Sequence, residues 1–184
     1  GACPDCTGLG FRLEIDPDLV VPSKDLSLAQ GAIQPWVRSG SSGPWYTSLL
    51  ESLARAHGFS TRVPIRDLKP ENVNLILYGN RGTTIEMRHI THSGRLYSWD
   101  TTFEGVIPNL ERRYRETESD YVRAEIERYM TARPCPVCQG QRLKPESLAV
   151  TIDQNNITQV TAMSITGALD WVKLLNGADG SRPI

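Results

Sequence analysis

No stretch of the sequence approaches the roughly 18 uninterrupted apolar residues of a membrane-spanning helix, and its start lacks the charged-then-apolar pattern of a secretory leader. A cytoplasmic protein with no membrane partner is therefore expected. Neither sign of charge is in excess: 20 Lys and Arg face 21 Asp and Glu, for a formal net charge of −1. That balance excludes a strongly basic nucleic-acid-binding tail and leaves room only for a local basic face. There is no Gly-x-x-x-x-Gly-Lys-Ser/Thr phosphate loop and no Gly-x-Ser-x-Gly nucleophile elbow. The chain by itself is thus expected not to be an enzyme and not to bind ATP. Histidine is scarce, at three residues. His89 and His92 lie close in sequence, but with no adjacent carboxylate pair they read as a surface turn and not as metal ligands. The sequence opens on Gly1-Ala2-Cys3 without an initiator Met, and reads as a piece of a longer protein.

Cysteine is also sparse, and its arrangement is the informative part of the composition. The four residues fall in two pairs, Cys3-Pro4-Asp5-Cys6 and Cys135-Pro136-Val137-Cys138. A disulfide-stapled secreted domain would scatter them. Two Cys-x-x-Cys knuckles instead suit one tetrahedral zinc, each knuckle presenting two thiolates. The competing reading is a pair of redox dithiols or buried free thiols. Gly8 and Gly140 sit at the same offset in the two knuckles, where positive φ lets backbone N–H groups face the sulfurs. Residues 7–134 separate the pairs, far more than the roughly 15 to 20 of a compact zinc ribbon. Closing so long a disordered loop costs about 4 kcal/mol plus a constant. A structural zinc contributes on the order of 10 kcal/mol, so the metal offsets the closure. The architecture expected is an α+β fold: a mixed small sheet-and-helix insertion domain, residues 12–131, carried on a four-cysteine zinc-knuckle base, residues 1–11 and 132–184.

Within the insertion, residues 11–35 suggest irregular structure or short strands, and residues 39–43 a flexible loop. Pro44 suits a first helical position, with Trp45, Leu49, Leu53 and Ala56 at helical spacing and Gly58 as the stop. Val73 to Tyr78 reads as a buried strand. Thr84 to Ile90 and Arg95 to Thr101 read as a hairpin around Ser93-Gly94. Asn109 is placed to cap one long helix towards Met130. Beyond the second knuckle, Leu148 to Ile152 and Ile157 to Val160 suggest a hairpin across Asn155-Asn156, and Ser164 caps a last helix through Leu175.

Two further segments invite a functional reading. Arg66-Asp67-Leu68-Lys69-Pro70-Glu71-Asn72 is similar to the catalytic loop of protein kinases. Ile65 replaces the usual His, no Asp-Phe-Gly follows, and the glycine-rich loop is missing, so a proline-bearing turn feeding a strand is the expectation. The second segment holds Arg112, Arg113 and Arg115, with Arg123 further along, and its guanidinium forks suit phosphates. Residues 106–133, however, contain six arginines and six acidic residues. A salt-bridged solvated helix, pairing with Glu111, Glu116 or Glu118, is the alternative.

Residues 1–11, 26–33, 103–106, 111–119, 133–143 and 163–165 together resemble the UvrA family. They read Gly-Ala-Cys-Pro-Asp-Cys-Thr-Gly-Leu-Gly-Phe, Leu-Ser-Leu-Ala-Gln-Gly-Ala-Ile, Phe-Glu-Gly-Val, Glu-Arg-Arg-Tyr-Arg-Glu-Thr-Glu-Ser, Arg-Pro-Cys-Pro-Val-Cys-Gln-Gly-Gln-Arg-Leu and Met-Ser-Ile. Chaperones of the DnaJ type share the Cys-x-x-Cys-x-Gly-x-Gly element but use four short repeats. The family comprises the damage-sensing ABC-type ATPases of bacterial nucleotide excision repair. The resemblance implies one zinc per chain on Cys3, Cys6, Cys135 and Cys138, in a signature domain split by an insertion that helps engage damaged double-stranded DNA. It implies that ATP binding, a UvrA homodimer and UvrB docking belong to the full-length protein. Arg112, Arg113, Arg115 and Arg123 are the expected DNA contacts. A zinc-stabilised module that docks a repair partner or a second UvrA subunit is the alternative function.

Overall fold

A computed structural model describes residues 1–37, 43–79, 82, 84–90 and 95–177, without the side chains of residues 89, 90, 176 and 177. The loop expected at residues 39–43 therefore lies outside the described residues except for Gly43. The Ser93-Gly94 turn, His92 and the His89 side chain lie outside them as well. The chain forms two units, one of residues 1–13 with 132–184 and the other of residues 14–131. Strands β1 (Phe11–Ile15) and β4 (Met130–Pro134) pair with each other, and the chain enters and leaves the larger unit along them.

The larger unit is mostly helical. Helix α1 (Pro17–Val20) starts on Asp16, whose carboxylate accepts the Asp18 N–H. A 3-10 turn, Leu28–Gln30, has a reciprocal cap between Ser27 and Gln30. Helix α2 (Gln34–Val37) delivers Trp36 to the core, and α3 (Gly43–His57) packs beside it. Helix α3 stops as expected at Gly58, whose φ of +69° lets the Phe59 N–H turn back onto the Ala54 carbonyl. Its buried side is centred on Leu50, Leu53 and Ala54, with Tyr46 and Leu49 partly covered. Ala56, expected on that side, is exposed.

Three elements differ from the sequence reading. Val73 to Tyr78 is not a strand but the body of helix α4 (Pro70–Tyr78), with Pro70 in its first turn. A short apolar run has no decisive period, and here Pro70 and the Ile76–Leu77 contacts with the core decide for helix. The kinase-like segment accordingly forms a 3-10 turn, Ile65–Asp67, followed by α4. The expected long helix from Asn109 is two helices, α5 (Val106–Glu116) and α6 (Asp120–Glu127). The break occurs because Ser119 accepts the Val122 N–H and caps a new helix, and Thr117 adopts extended geometry. Asn109 lies inside the first turn of α5, and Gly105 holds the cap position. Between α4 and α5, strands β2 (Thr84–Ile90) and β3 (Leu96–Thr102) form the expected antiparallel hairpin, with Met87 opposite Trp99. Ile85 and Met87 are buried, and Trp99 stacks on Trp45 of α3.

In the smaller unit, the hairpin beyond the second knuckle is not the one expected: Ile157 to Val160, read as its second strand, is helical, Asn155-Asn156, read as its turn, is a strand, and Leu148 ends a helix that precedes it. Strands β5 (Thr151–Ile152) and β6 (Asn155–Asn156) are joined through Asp153 and Gln154, both at positive φ. Helix α7 (Pro145–Leu148) precedes them, and α8 (Ile157–Ala162) follows because Asn156 and Gln159 make a capping box. Ser164 accepts the Gly167 N–H at the start of α9 (Ile165–Gly177), as expected.

Two glycines mark a backbone crossing in the larger unit. Gly79 and Gly105 have φ of +88° and +96°, and a Cβ on Gly105 would lie 2.4 Å from the Gly79 nitrogen. Gly105→Ala is expected to lower unfolding stability by about 2 kcal/mol or more, because strain and clash act together. Gly58→Ala meets open space and should cost only about 1 kcal/mol. Urea unfolding of the two variants checks the order; equal losses would contradict the crossing.

Candidate metal centre and nucleic-acid interface

The two knuckles adopt one backbone conformation. Thr7 and Gln139 have φ of +51° and +48°, and Gly8 and Gly140 have +89° and +87°. In each knuckle the second cysteine's carbonyl accepts an N–H three residues on, Leu9 onto Cys6 at 2.9 Å and Gln141 onto Cys138 at 2.8 Å. The Cys3 N–H donates to the Arg142 carbonyl and the Cys135 N–H to the Gly10 carbonyl. These bonds bring all four sulfurs within 4.8 Å of one another, in a buried cluster with no disulfide. Cys6 Sγ and Cys138 Sγ are 3.6 Å apart. Bonds of about 2.3 Å to a tetrahedral zinc would set sulfurs about 3.8 Å apart, so the cluster has the dimensions to hold a metal ion.

The thiols are not equivalent. Burial pushes the Cys6 thiol up, but the Gly10 and Gly8 N–H groups and the neighbouring thiols outweigh it and bring it down to about 6. The Gly10 N–H lies 3.2 Å from Cys6 Sγ. Burial raises Cys135 above its ordinary value against the pull of the Cys138 and Val137 N–H groups. At Cys3 the Cys6 N–H lowers the thiol, but burial and the sulfurs of Cys6 and Cys138 leave it raised. Asp5 also faces the cluster, accepting from Cys135 Sγ at 3.0 Å while it pairs with Arg12. Neither Asp5 nor Arg12 was marked by the cysteine spacing. The only signal was Asp5's place inside the first knuckle.

The four arginines divide by partner. Arg112, on α5, pairs with Glu104 at 2.8 Å and with Glu116 at 3.0 Å. Hydrogen bonding from Arg112 lowers the Glu104 carboxyl against burial, with help from Asn109, whose Nδ2 donates at 2.7 Å. Arg123 lies on α6, not further along the same helix. It donates to the Thr117 carbonyl at 2.9 Å and covers the Tyr114 ring at 5.2 Å. Arg113 and Arg115 have no side-chain hydrogen bond or ion pair among the described residues. Glu116 is thus a partner as the alternative reading expected. Glu104 was missed because it lies eight residues before Arg112 and reaches it only after the turn at Gly105.

The model for the UvrA DNA-binding domain matches residues 16–128. The chain belongs to the UvrA family. It is 46% identical over 178 residues to the UvrABC system protein A of Brucella abortus, covering 97% of this chain. With the Bacillus subtilis protein of that name the identity is 43% over 94% of the chain. The chain spans 18% of the length of these two relatives. The crystal structure of UvrA2 from Deinococcus radiodurans shares the fold, with a TM-score of 0.71 and 23% identity over 100% of this chain and 23% of that one.

The residues of the kinase-like segment are spread over a turn and a helix. Asp67 is exposed beside Arg66, and Asn72 is a residue of α4. Among the described residues no helix is long and apolar enough to cross a membrane.

The pairing around Arg112 has a testable cost. Exposed ion pairs contribute roughly 0.2–1 kcal/mol each, so Arg112→Ala should destabilise the protein by about 1 kcal/mol. Arg115→Ala should change stability by less than about 0.5 kcal/mol. Glu104 titrates below its unfolded value of about 4.3, so its contribution is present above that pH and fades as pH falls through the lowered value. The gap between wild type and Arg112→Ala in urea melts should therefore narrow below about pH 4. A gap that widens there would contradict the assignment.

Proposed function

We propose that this chain is the part of a UvrA protein that engages damaged duplex DNA during nucleotide excision repair. The observation that carries this reading is the match of the UvrA DNA-binding-domain model to residues 16–128. Residues 12–131 are the insertion and residues 1–11 with 132–184 the zinc-knuckle base. Cys3, Cys6, Cys135 and Cys138 hold one zinc as thiolates. That metal supplies a structural crosslink and no reaction chemistry. The protein remains cytoplasmic. ATP binding and hydrolysis, the homodimer and UvrB docking belong to the whole protein.

Lesions differ chemically, so a protein that senses many of them reads the backbone and deformability of the duplex more than its base edges. Arg113 and Arg115 are offered first to phosphate, since their side chains have no partner to give up among the described residues. Arg112 and Arg123 contact DNA only by leaving Glu104 and Glu116, or Thr117 and Tyr114. Weak binding, on the order of 10⁻⁴ to 10⁻⁶ M at physiological salt, is expected from a few phosphate contacts.

A salt series with damaged duplex tests this. Arg113→Ala and Arg115→Ala should each weaken binding on any sequence and lower the salt slope by about one. Unchanged affinity and slope in the double variant would remove Arg113 and Arg115 from the interface.

The metal has its own test. Freshly purified, reduced protein should contain about one zinc per chain. Because the raised thiols of Cys3 and Cys135 must lose protons to bind it, zinc affinity should fall as pH falls. Chelation should speed amide exchange in residues 1–13 and 132–144 while residues 14–131 stay protected. Metal-free protein with unchanged exchange would defeat the assignment.

A further inference from the structure

The two knuckles share a backbone conformation but differ at the third position of their Cys-x-x-Cys. Val137 fills that position in the second knuckle and is exposed. Asp5 fills it in the first, where its side chain is only 21% exposed. It turns onto the other knuckle, and its Oδ2 lies 3.0 Å from the Sγ of Cys135. Cys135 itself is fully buried. The other oxygen of Asp5 takes the guanidinium of Arg12, the second residue of β1. One carboxylate thus joins a buried sulfur to a half-exposed cation, and all three groups lie in the smaller unit.

A cysteine ligates zinc as its thiolate. Four thiolates outweigh the charge of one Zn²⁺, so a loaded centre is anionic. A carboxylate beside one of its sulfurs adds a like charge where little water reaches to screen it. Left unpaired, Asp5 would therefore work against the metal. Arg12 answers that charge. Its guanidinium stays protonated in proteins, and its fork fits a carboxylate. Among the described residues Asp5 has no other ion pair. We propose that Arg12 is a positioning residue of the metal centre: by holding the Asp5 carboxylate it offsets the negative charge beside Cys135 and lets the four cysteines keep zinc. The inference rests on the zinc reading above and extends it to two residues outside the ligand set. Outer partners of this kind typically change metal affinity about tenfold to a hundredfold. The pair also has a direction. Arginine favours the metal, and aspartate opposes it once the arginine is gone.

The test uses the full chain, reduced, loaded with zinc and titrated with a chromophoric chelator at one fixed pH. Arg12→Ala should hold zinc about tenfold less tightly than wild type. Asp5→Asn in that background removes the uncompensated charge, so Asp5→Asn/Arg12→Ala should recover most of the loss. Arg12→Lys, which keeps the positive charge, should stay close to wild type. Lys144→Ala removes a cation that pairs with Glu146 instead, and should leave the affinity unchanged. A pair that merely braces the first knuckle against β1 behaves differently: Arg12→Ala already breaks the brace, and Asp5→Asn then recovers nothing. Zinc held equally by wild type and Arg12→Ala, or no better by the double variant than by Arg12→Ala, overturns the positioning role and leaves the zinc site standing. An equal loss in Lys144→Ala overturns it too, since net charge alone would then account for the effect. A wild-type chain that takes up no zinc overturns both readings. Should Arg12→Ala not accumulate as folded protein, Arg12→Gln takes its place in the same comparison.

Discussion

The two knuckles of the smaller unit depend on the gathering of four thiols from two distant stretches of chain. Neither knuckle can satisfy a metal alone, and neither could be buried alone without leaving polar sulfur uncompensated. The knuckles meet because the Cys3 and Cys135 N–H groups find carbonyls at Arg142 and Gly10, so each knuckle is bonded to the segment that follows the other. The same constraint governs the chain between them. Residues 14–131 must fold so that Glu14 and Thr131 end close enough for β1 and β4 to pair.

The cluster was legible because its signal is chemical and short-range: Cys-x-x-Cys with glycine two residues on has few other uses. The hairpin β2–β3 was legible from alternation, and the end of α3 from Gly58. The failures share a different cause. Val73 to Tyr78 carries no period long enough to separate helix from strand, and the deciding contacts of Ile76 and Leu77 lie with residues far away in sequence. The single helix expected from Asn109 ignored Ser119, because a serine inside an apolar-periodic stretch looks like a solvent position until its hydroxyl is seen to take the Val122 N–H. Asn109 itself was assigned a cap role that Gly105 already filled, and its side chain donates to Glu104 instead.

The arginine segment shows what a net charge conceals. Six positive and six negative residues could mean twelve paired side chains or two separated populations. The structure divides them: Arg112 is locked between two carboxylates and Arg123 is laid over a tyrosine ring, whereas Arg113 and Arg115 have no side-chain partner among the described residues. A segment of zero net charge therefore still presents two arginines, on different faces of α5, without an ion pair among the described residues. Composition averages over a helix face that geometry does not.

The glycine crossing has an architectural corollary. Since Gly79 and Gly105 touch backbone to backbone, the chain leaves α4 and re-enters α5 at one point, with strands β2 and β3 between the two contacts. The placement of the two helices is thereby fixed where the backbones cross and not by the length of chain between them. A change in the length of chain beyond β2 and β3 would leave α4 and α5 in register, provided both glycines stay where the backbones cross.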